Sequence, residues 1–279
     1  MEGYQHPFVG GELFAVRGFG ARCSGSLVRG RSEPVRSGVC CVAAREQEPA
    51  QYDGIGERYA DFKRDHGNAP EEPAVRALLG ELAGARVLDV ACGFGRYTRL
   101  AKELGAAHVE GVDVSAEMVA LARREEARSP VGAVYHQCDA AALPVLGVFD
   151  VAVAVWLFNY AEDPGRMADM FRGIRANLAP GGRLVAVTVH PGYDPADPDR
   201  QPAGASVTAA RPVPRGTALV LEFPVEPPVV LAFTRWDADV YEQSARRAGF
   251  TDLTWHPVRN PASELPGQED PFIVALVCA

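Results

Sequence analysis

The chain has 279 residues, of which 47% are hydrophobic, and it carries a formal net charge of −8 at pH 7. Acidic and basic residues are interspersed, and no apolar run reaches the roughly 18 residues of a membrane-spanning helix, so neither a nucleic-acid nor a membrane partner is expected. The six cysteines form neither a paired disulfide framework nor a zinc-finger spacing, which favours a reducing cytoplasmic location and no bound metal.

Residues 1–48 are predicted to form a poorly ordered arm. Gly, Ser and Arg cluster there without a sustained helical or strand period, although 38–44 is briefly apolar. The segment has no continuous apolar stretch behind basic residues, so secretion is not indicated. A lid and an organelle address remain as alternatives, and the acidic residues in the segment disfavour the second. The folded domain is expected to cover 49–279.

From Tyr52 onward the sequence alternates between helical and strand patterns. Ile55, Tyr59 and Phe62 recur at the spacing of one helix face, and a second helix follows Pro73. Runs rich in β-formers then occupy 86–91, 108–114, 133–138, 149–156 and 183–189, with helical stretches at 96–104, 116–128 and 165–178. This alternation predicts a doubly wound parallel sheet, whose ligands bind beyond the carboxyl ends of the strands.

The alternating pattern breaks between 190 and 235, where prolines are frequent. Two strand-like runs, TALVLEF and VVLAFTRW, are joined there by PVEPP and predict an inserted β-hairpin, a substrate lid over the strand ends. The helix DADVYEQSARRAG, ended by Gly249, resumes the core, and LTWH and FIVALVC supply two last strands.

The most informative segment is VLDVACGFGRYT, residues 87–98, in which a strand is followed by Gly93, Gly95 and a helix. Missing side chains at such a turn let a ligand approach backbone N–H groups at the helix N-terminus. The dinucleotide fingerprint G-x-G-x-x-G has Thr98 at its third glycine position, so a pyrophosphate cradle is disfavoured.

Two acids follow the next two strands. Asp113 ends the second strand, within GVDVS, where it is placed to accept two hydrogen bonds from a ribose diol. Asp139 follows in HQCDAA, where it can accept from an adenine amino group while the amide of Ala140 donates to the ring. LAPGGRL, a helix stop and a glycine turn, precedes the fifth strand. The order of these elements indicates an adenosine-type ligand.

On the segments DVACGFG, GVDVS, CDAAALP, FDVAVAVWLFNYAED and LAPGGRL, the chain resembles the class I S-adenosylmethionine-dependent methyltransferases, from about Tyr52 to the C-terminus. Within that family it is most similar to bacterial small-molecule methyltransferases of the toxoflavin-synthesis type. The resemblance implies a Rossmann-like α/β fold with a doubly wound, mostly parallel seven-stranded sheet of order 3-2-1-4-5-7-6, its last strand antiparallel. S-adenosylmethionine is the implied cofactor.

The resemblance also implies which residues contact the cofactor. They are Asp89, Ala91, Cys92, Gly93 and Gly95 around the methionyl part, Asp113 at the ribose, Val114, Met118, Cys138, Asp139 and Ala140 at the adenine, Val155 and Trp156 after the fourth strand, and Tyr52 and Tyr59 on the closing N-terminal helix. Ala91 departs from the family pattern, since many members have glycine there. The arm before residue 49 is a second departure.

Methyl transfer from a sulfonium is an in-line displacement with a good leaving group, so the protein mainly positions the nucleophile and excludes water. His190, Asn159 and Tyr160 are the candidates at the strand ends for a general base or for groups that orient the acceptor. The structural alternatives are a histidine that starts a loop and a helix-cap and packing pair.

We therefore expect methyl transfer to a nitrogen or oxygen of a small, aromatic or heterocyclic metabolite, in bacterial natural-product metabolism. The proline-rich insertion of lid length and the absence of a basic surface stripe favour a small acceptor. A monomer and a homodimer are both compatible with the sequence. Two alternatives remain: an NAD-dependent oxidoreductase, and a non-methylating member of the fold that binds the cofactor, such as a cyclase or a binding protein.

Overall fold

A computed structural model describes residues 51–65, 70–197, 201–202, 204–259 and 269–279. The predicted arm, 1–48, lies outside these residues. The helices within the described ranges are α1 (Gly56–Asp65), α2 (Glu72–Leu79), α3 (Arg96–Glu103), α4 (Ala116–Arg128), α5 (Pro164–Asn177) and α6 (Ala238–Ala248). The strands there are β1 (Arg86–Val90), β2 (His108–Asp113), β3 (Ala133–Gln137), β4 (Phe149–Val155), β5 (Leu178–Val189), β6 (Ser206–Val213), β7 (Gly216–Phe223), β8 (Val229–Trp236), β9 (Leu253–Arg259) and β10 (Glu269–Cys278).

The main sheet has seven strands in the order β3-β2-β1-β4-β5-β10-β9. β10 pairs antiparallel with both β5 and β9, and the remaining neighbours are parallel. This is the predicted order, 3-2-1-4-5-7-6, with the last strand antiparallel. β4 reads FDVAVAV and only Asp150 in it is exposed, because a central parallel strand is covered on both faces.

Successive residues of the central strands point to opposite faces of this sheet and enter two separate cores. Val87, Val153 and Val187 pack with α1, α2 and α3 on one face. Leu88 and Ala152 pack with α5 and α6 on the other, where the Phe158 and Phe171 rings also stack. Burial of each such Leu or Phe side chain contributes about 2 kcal/mol. The two cores fix the carboxyl ends of the parallel strands side by side at one end of the sheet.

The insertion forms a separate antiparallel sheet of order β6-β7-β8, one strand larger than the predicted hairpin. The predicted strands correspond to β7 and β8. β6, with the sequence SVTAARPV, was missed because it is largely exposed, shows no apolar alternation and contains Pro212. We call β6, β7 and β8 together the lid sheet.

The LAPGGRL segment also differs from expectation. α5 ends as predicted, but β5 starts at once at Leu178, so the two glycines lie inside the strand and not in a turn before it. Pairing with β4 shifts between the Phe149–Leu178 and Val151–Arg183 pairs, which marks a bulge. A Cβ on Gly182 would lie 3.0 Å from a backbone oxygen, a tight contact that favours glycine in the bulge.

Within the described ranges, no helix is long and apolar enough to cross a membrane. Over the same part of the chain, no group of three or more His, Cys, Asp and Glu side chains is arranged to hold a metal ion.

Candidate cofactor and acceptor site

A cleft of about 1500 Å³ lies between the carboxyl ends of the central strands and the lid sheet. Ordinary small-ligand pockets have volumes of roughly 300–1,000 Å³, so this cleft has room for a cofactor and an acceptor together. The predicted residues that line it are Tyr52, Tyr59, Ala91, Cys92, Gly93, Asp113, Val114, Met118, Cys138, Asp139, Ala140, Val155, Trp156, Asn159 and Tyr160. Asp89, Gly95 and His190 do not line it.

Asp113 is held rigidly at the end of β2. Its Oδ2 accepts a hydrogen bond from the Gly93 amide at 2.8 Å, and its Oδ1 accepts from the Ser115 amide at 2.9 Å. Burial raises the pKa of Asp113, and the two amide donors oppose that rise. Each carboxylate oxygen keeps lone-pair capacity for a further donor. The side chain therefore presents fixed acceptors to the cleft, as the ribose assignment requires.

The two glycines of the β1–α3 turn serve different purposes. A Cβ on Gly93 would have no atom within 4 Å, so this residue leaves open space on the cleft side. A Cβ on Gly95 would lie 2.6 Å from the Tyr135 hydroxyl, so protein packing and a φ of +92° require that glycine. The amides of both glycines donate within the protein, to Asp113 and Cys92. The prediction that both would expose backbone to a ligand is therefore wrong for Gly95.

Asp89 lies beneath this turn and not in the cleft. Its Oδ2 accepts from the Thr98 hydroxyl at 2.6 Å, whereas its Oδ1 is buried without a partner among the described residues. Burial raises the pKa of Asp89 to about 7, against a smaller opposing effect of Thr98. Thr98 stands where the dinucleotide fingerprint G-x-G-x-x-G has its third glycine, and its hydroxyl binds Asp89 inside the protein. This argues against the NAD-dependent alternative.

Ala91 and Trp156, which follow β1 and β4, both have left-handed backbone conformations, with φ of +64° and +61°. Such a conformation costs a non-glycine residue about 1–2 kcal/mol, which explains why glycine is common at the first position in the family that the chain resembles. Both residues line the cleft. Strained backbone of this kind is concentrated at functional sites of proteins.

Asp139 has partners that the sequence did not predict. Its Oδ1 accepts from the Ala141 amide at 3.0 Å and so caps the short 3-10 helix Ala140–Ala142. Its Oδ2 pairs with the guanidinium of Arg166 at 2.7 Å. Arg166 also lines the cleft, so the adenine end of the predicted site contains an ion pair and not an isolated acid.

The segment before α1 is attached to both the main sheet and the lid sheet. The Gln51 side-chain amide donates to the backbone oxygen of Ala232 and accepts from its N–H, at 2.7 and 2.8 Å, as a neighbouring strand would. Asp53 accepts from the Ser115 hydroxyl at 2.6 Å. Ser115 is itself the N-cap of α4. These contacts hold Tyr52 over the cleft.

Tyr52 and Tyr160 connect this segment to the end of β4. Their hydroxyls are 2.6 Å apart, and the Tyr52 ring also contacts the Tyr59 ring edge-on, with centroids 5.1 Å apart. Burial raises the pKa of both Tyr52 and Tyr160 well above the ordinary value of about 10. Their hydroxyls therefore stay protonated, which suits them to orient an acceptor and not to remove its proton.

An aromatic pocket of about 60 Å³ adjoins the cleft and shares part of its lining, including two acceptor atoms without partners among the described residues. We define it by rings shared by the N-terminal segment, the end of β4, the lid sheet and β10: Tyr52, Tyr59, Trp156, Tyr160, Phe223, Phe233 and Phe272. Glu71 and Asn159 also line it, and both are nearly fully buried. Glu71 Oε2 and Asn159 Oδ1 have no hydrogen-bond partner among the described residues. Sequence reasoning missed Glu71, whose position just before α2 indicated only a helix start.

His190 lies outside the cleft, contrary to expectation. Its Nδ1 accepts from the Gly192 amide at 2.9 Å, and its carbonyl accepts from the Tyr193 amide at 2.9 Å. The chain thus turns immediately after β5, and the imidazole is bonded into its own turn. The alternative interpretation, a histidine that begins a loop, agrees with this geometry.

These residues fit S-adenosylmethionine in two respects. Asp113 presents acceptors for sugar hydroxyls, and Gly93 leaves open space in the same cleft. When bound, this cofactor supplies an activated methyl group. Burial raises the pKa of Cys92, which lies in the β1–α3 turn, so its thiol stays protonated.

Comparisons with known proteins agree with this geometry. Residues 87–182 match the family described as "Methyltransferase domain". Ubiquinone biosynthesis O-methyltransferase from Xanthomonas euvesicatoria is 32% identical over 163 residues, which cover 56% of this chain and 62% of that protein. Demethylmenaquinone methyltransferase from Thermus thermophilus is 36% identical over 117 residues, which cover 41% of this chain and 51% of that protein.

A solved S-adenosylmethionine-dependent methyltransferase from Mesorhizobium loti aligns with a TM-score of 0.53 at 27% identity, covering 76% of this chain and 98% of that one. The curated match from Xanthomonas, in contrast, reaches less than two thirds of its relative's length. Strand order, the geometry around Asp113 and these matches together lead to one conclusion: residues 87–182 form a methyltransferase domain similar to those of the class I S-adenosylmethionine-dependent enzymes, and S-adenosylmethionine is its cofactor.

Proposed function

We propose that this protein transfers the methyl group of S-adenosylmethionine to a nitrogen or oxygen of a small aromatic or heterocyclic metabolite. One observation carries the proposal: the cleft that contains Asp113 and Gly93 at the strand ends adjoins the aromatic pocket under the lid sheet. Trp156, Asn159 and Tyr160 line both regions, so an acceptor in the pocket lies next to the cofactor site.

The protein's part in this reaction is to position the reactants and exclude water. Asp113 would accept from the ribose hydroxyls of the bound cofactor, and the Asp139–Arg166 pair would lie on its adenine side. Tyr52 covers the cleft through its contact with Tyr160. A fixed approach of the acceptor to the methyl carbon lowers the barrier without an obligatory catalytic side chain.

The lid sheet supports a small acceptor. Leu219 and Phe233 of β7 and β8 line the cleft, so the insertion covers the strand ends where an acceptor must lie. The matched family segment ends at residue 182, before the lid sheet begins at Ser206, so the match does not specify the acceptor. The names of the two curated relatives, in ubiquinone biosynthesis and demethylmenaquinone methylation, are compatible with a small ring compound. A role in natural-product metabolism is part of the proposal, and the oligomeric state stays a prediction.

Incubation of the purified chain with trideuteromethyl-labelled S-adenosylmethionine and a bacterial metabolite extract tests the proposal. We expect S-adenosylhomocysteine release and one or more small molecules that gain the labelled methyl group, as detected by mass spectrometry. Heat-inactivated protein is the control. Tight S-adenosylhomocysteine binding without labelling of any small molecule would favour the non-methylating alternative instead.

A further inference from the structure

Glu71 lines the aromatic pocket, and only one of its two carboxylate oxygens has hydrogen-bond donors among the described residues. Its Oε1 accepts from the Tyr97 hydroxyl at 2.8 Å and from the Trp156 indole N–H at 3.2 Å. Its Oε2 is buried and has no hydrogen-bond partner among the described residues. Glu71 as a whole is only 2% exposed. The two donors fix the carboxylate in one orientation, so the free oxygen has a defined direction.

An unpaired buried carboxylate oxygen is costly, because burial removes the water that would otherwise bind it. No ion pair joins Glu71 to any cationic side chain of the described residues. Lys63 lines the same pocket, but its Nζ lies over the Tyr59 and Phe223 rings, 5.7 and 5.9 Å from their centroids. A ligand with N–H or O–H groups would supply the missing donor.

The surroundings of Glu71 favour a cation over a neutral donor. Aromatic faces attract cations, and Tyr52, Tyr160 and Phe233 form a connected set there, with centroid distances of 5.9 and 6.0 Å. Asn159, 1% exposed, adds a second acceptor without a partner. An ammonium has three N–H donors and a positive charge, whereas a hydroxyl has one donor and no charge.

We propose that the methyl acceptor is an arylalkylamine that enters as its ammonium form, and that Glu71 binds this group and removes its proton. The inference rests on the proposed function and names its substrate class. In the reaction, one ammonium proton passes to Glu71 Oε2, and the freed nitrogen lone pair bonds to the methyl carbon. The carbon–sulfur bond breaks with its electrons left on sulfur. The methylated ammonium then leaves, and Glu71 returns its proton to solvent.

Matched pairs of amines and alcohols test this without knowledge of the natural substrate. The probes are 2-phenylethylamine with 2-phenylethanol, tryptamine with tryptophol, and benzylamine with benzyl alcohol. Calorimetry with the wild-type complex of S-adenosylhomocysteine should show at least one amine bound about 10-fold or more tightly than its alcohol, as expected for a charge-assisted contact. The absence of such a preference in every pair overturns the proposal.

Two variants separate recognition from a structural role. Glu71→Gln keeps the acceptor for Tyr97 and Trp156 but loses the charge, so the amine preference should disappear while S-adenosylhomocysteine affinity stays unchanged. Glu81→Gln makes the same substitution at an exposed position and should keep the preference. Equal weakening of both members of a pair by Glu71→Gln would assign that residue a structural role only.

The pH dependence of methylation provides a second readout. In Glu71→Gln, the rate with the amine probe should recover as the pH rises toward the ordinary pKa of an alkylamine, about 10, where the free base no longer needs the carboxylate. A rate in the variant that stays low at every pH would contradict the proton transfer. If the protein instead methylates oxygen acceptors with normal cofactor binding, the Glu71 proposal fails while the proposed function stands.

Discussion

Replacement of Asp113 by asparagine should weaken cofactor binding more than any other single exchange of one oxygen for nitrogen in the cleft. The carboxylate accepts one backbone N–H on each oxygen, from Gly93 and from Ser115. An asparagine amide has only one acceptor atom, so its NH₂ group must face one of these donors. The substitution therefore removes a charge and also leaves one backbone donor unpaired.

The magnitude follows from these contacts. One unpaired buried donor should lower the free energy of unfolding by about 1–3 kcal/mol. One lost hydrogen bond from a ribose hydroxyl to a charged acceptor should weaken binding by about 1.5–3 kcal/mol, which is roughly a 10- to 100-fold increase in Kd. Both effects arise at a residue that is 8% exposed, so water compensates little.

Calorimetric titration with S-adenosylhomocysteine measures the affinity, and urea denaturation measures the stability. Asp150→Asn is the matched control, because Asp150 Oδ2 also accepts a backbone N–H, from Arg86 at 2.8 Å. Asp150 lies at the amino end of β4, far along the strand from the cleft at the carboxyl ends. This control should leave the Kd unchanged. An Asp113→Asn Kd within about 3-fold of the wild-type value would refute the assignment of Asp113 to the sugar.

Three further predictions concern stability. The pKa of Asp89 is raised to about 7 in the fold, so above about pH 4 the folded state holds a proton that the unfolded state has lost. The free energy of unfolding should therefore fall by roughly 3 kcal/mol between pH 4 and 7 relative to Asp89→Asn, as urea denaturation across that range will show. Gly95→Ala should lower the free energy of unfolding by about 2–5 kcal/mol, because it adds a steric clash to a left-handed φ. Gly132→Ala, with φ +80° and no atom near its Cβ, should lower it by only about 1 kcal/mol. Equal shifts of the thermal unfolding midpoint in the two variants would contradict the packing explanation. Tyr52→Phe and Tyr160→Phe should show a coupling energy of about 1 kcal/mol in a double-mutant cycle of unfolding, and strict additivity would mean that their hydroxyls do not interact.

The sequence by itself determined the framework of the fold. Alternating strand and helix patterns predicted the parallel core, because that periodicity reflects which faces of each element are buried. The position of Asp113 was predictable as well, since its bond to the Ser115 amide and the N-cap role of Ser115 involve residues that are close along the chain. The resemblance to the methyltransferase family added the strand order, which local patterns alone did not specify.

Only the tertiary structure decided which side chains face the cleft and what they contact there. Trp156 meets Glu71 across 85 positions of sequence, and Arg166 reaches Asp139 across 27. Packing of the helices and of the lid sheet sets such contacts, and no local propensity encodes them. Gly95 illustrates the same point: a pattern read as space for a ligand is instead space for the side chain of Tyr135 on β3, two strands away from β1 in the sheet.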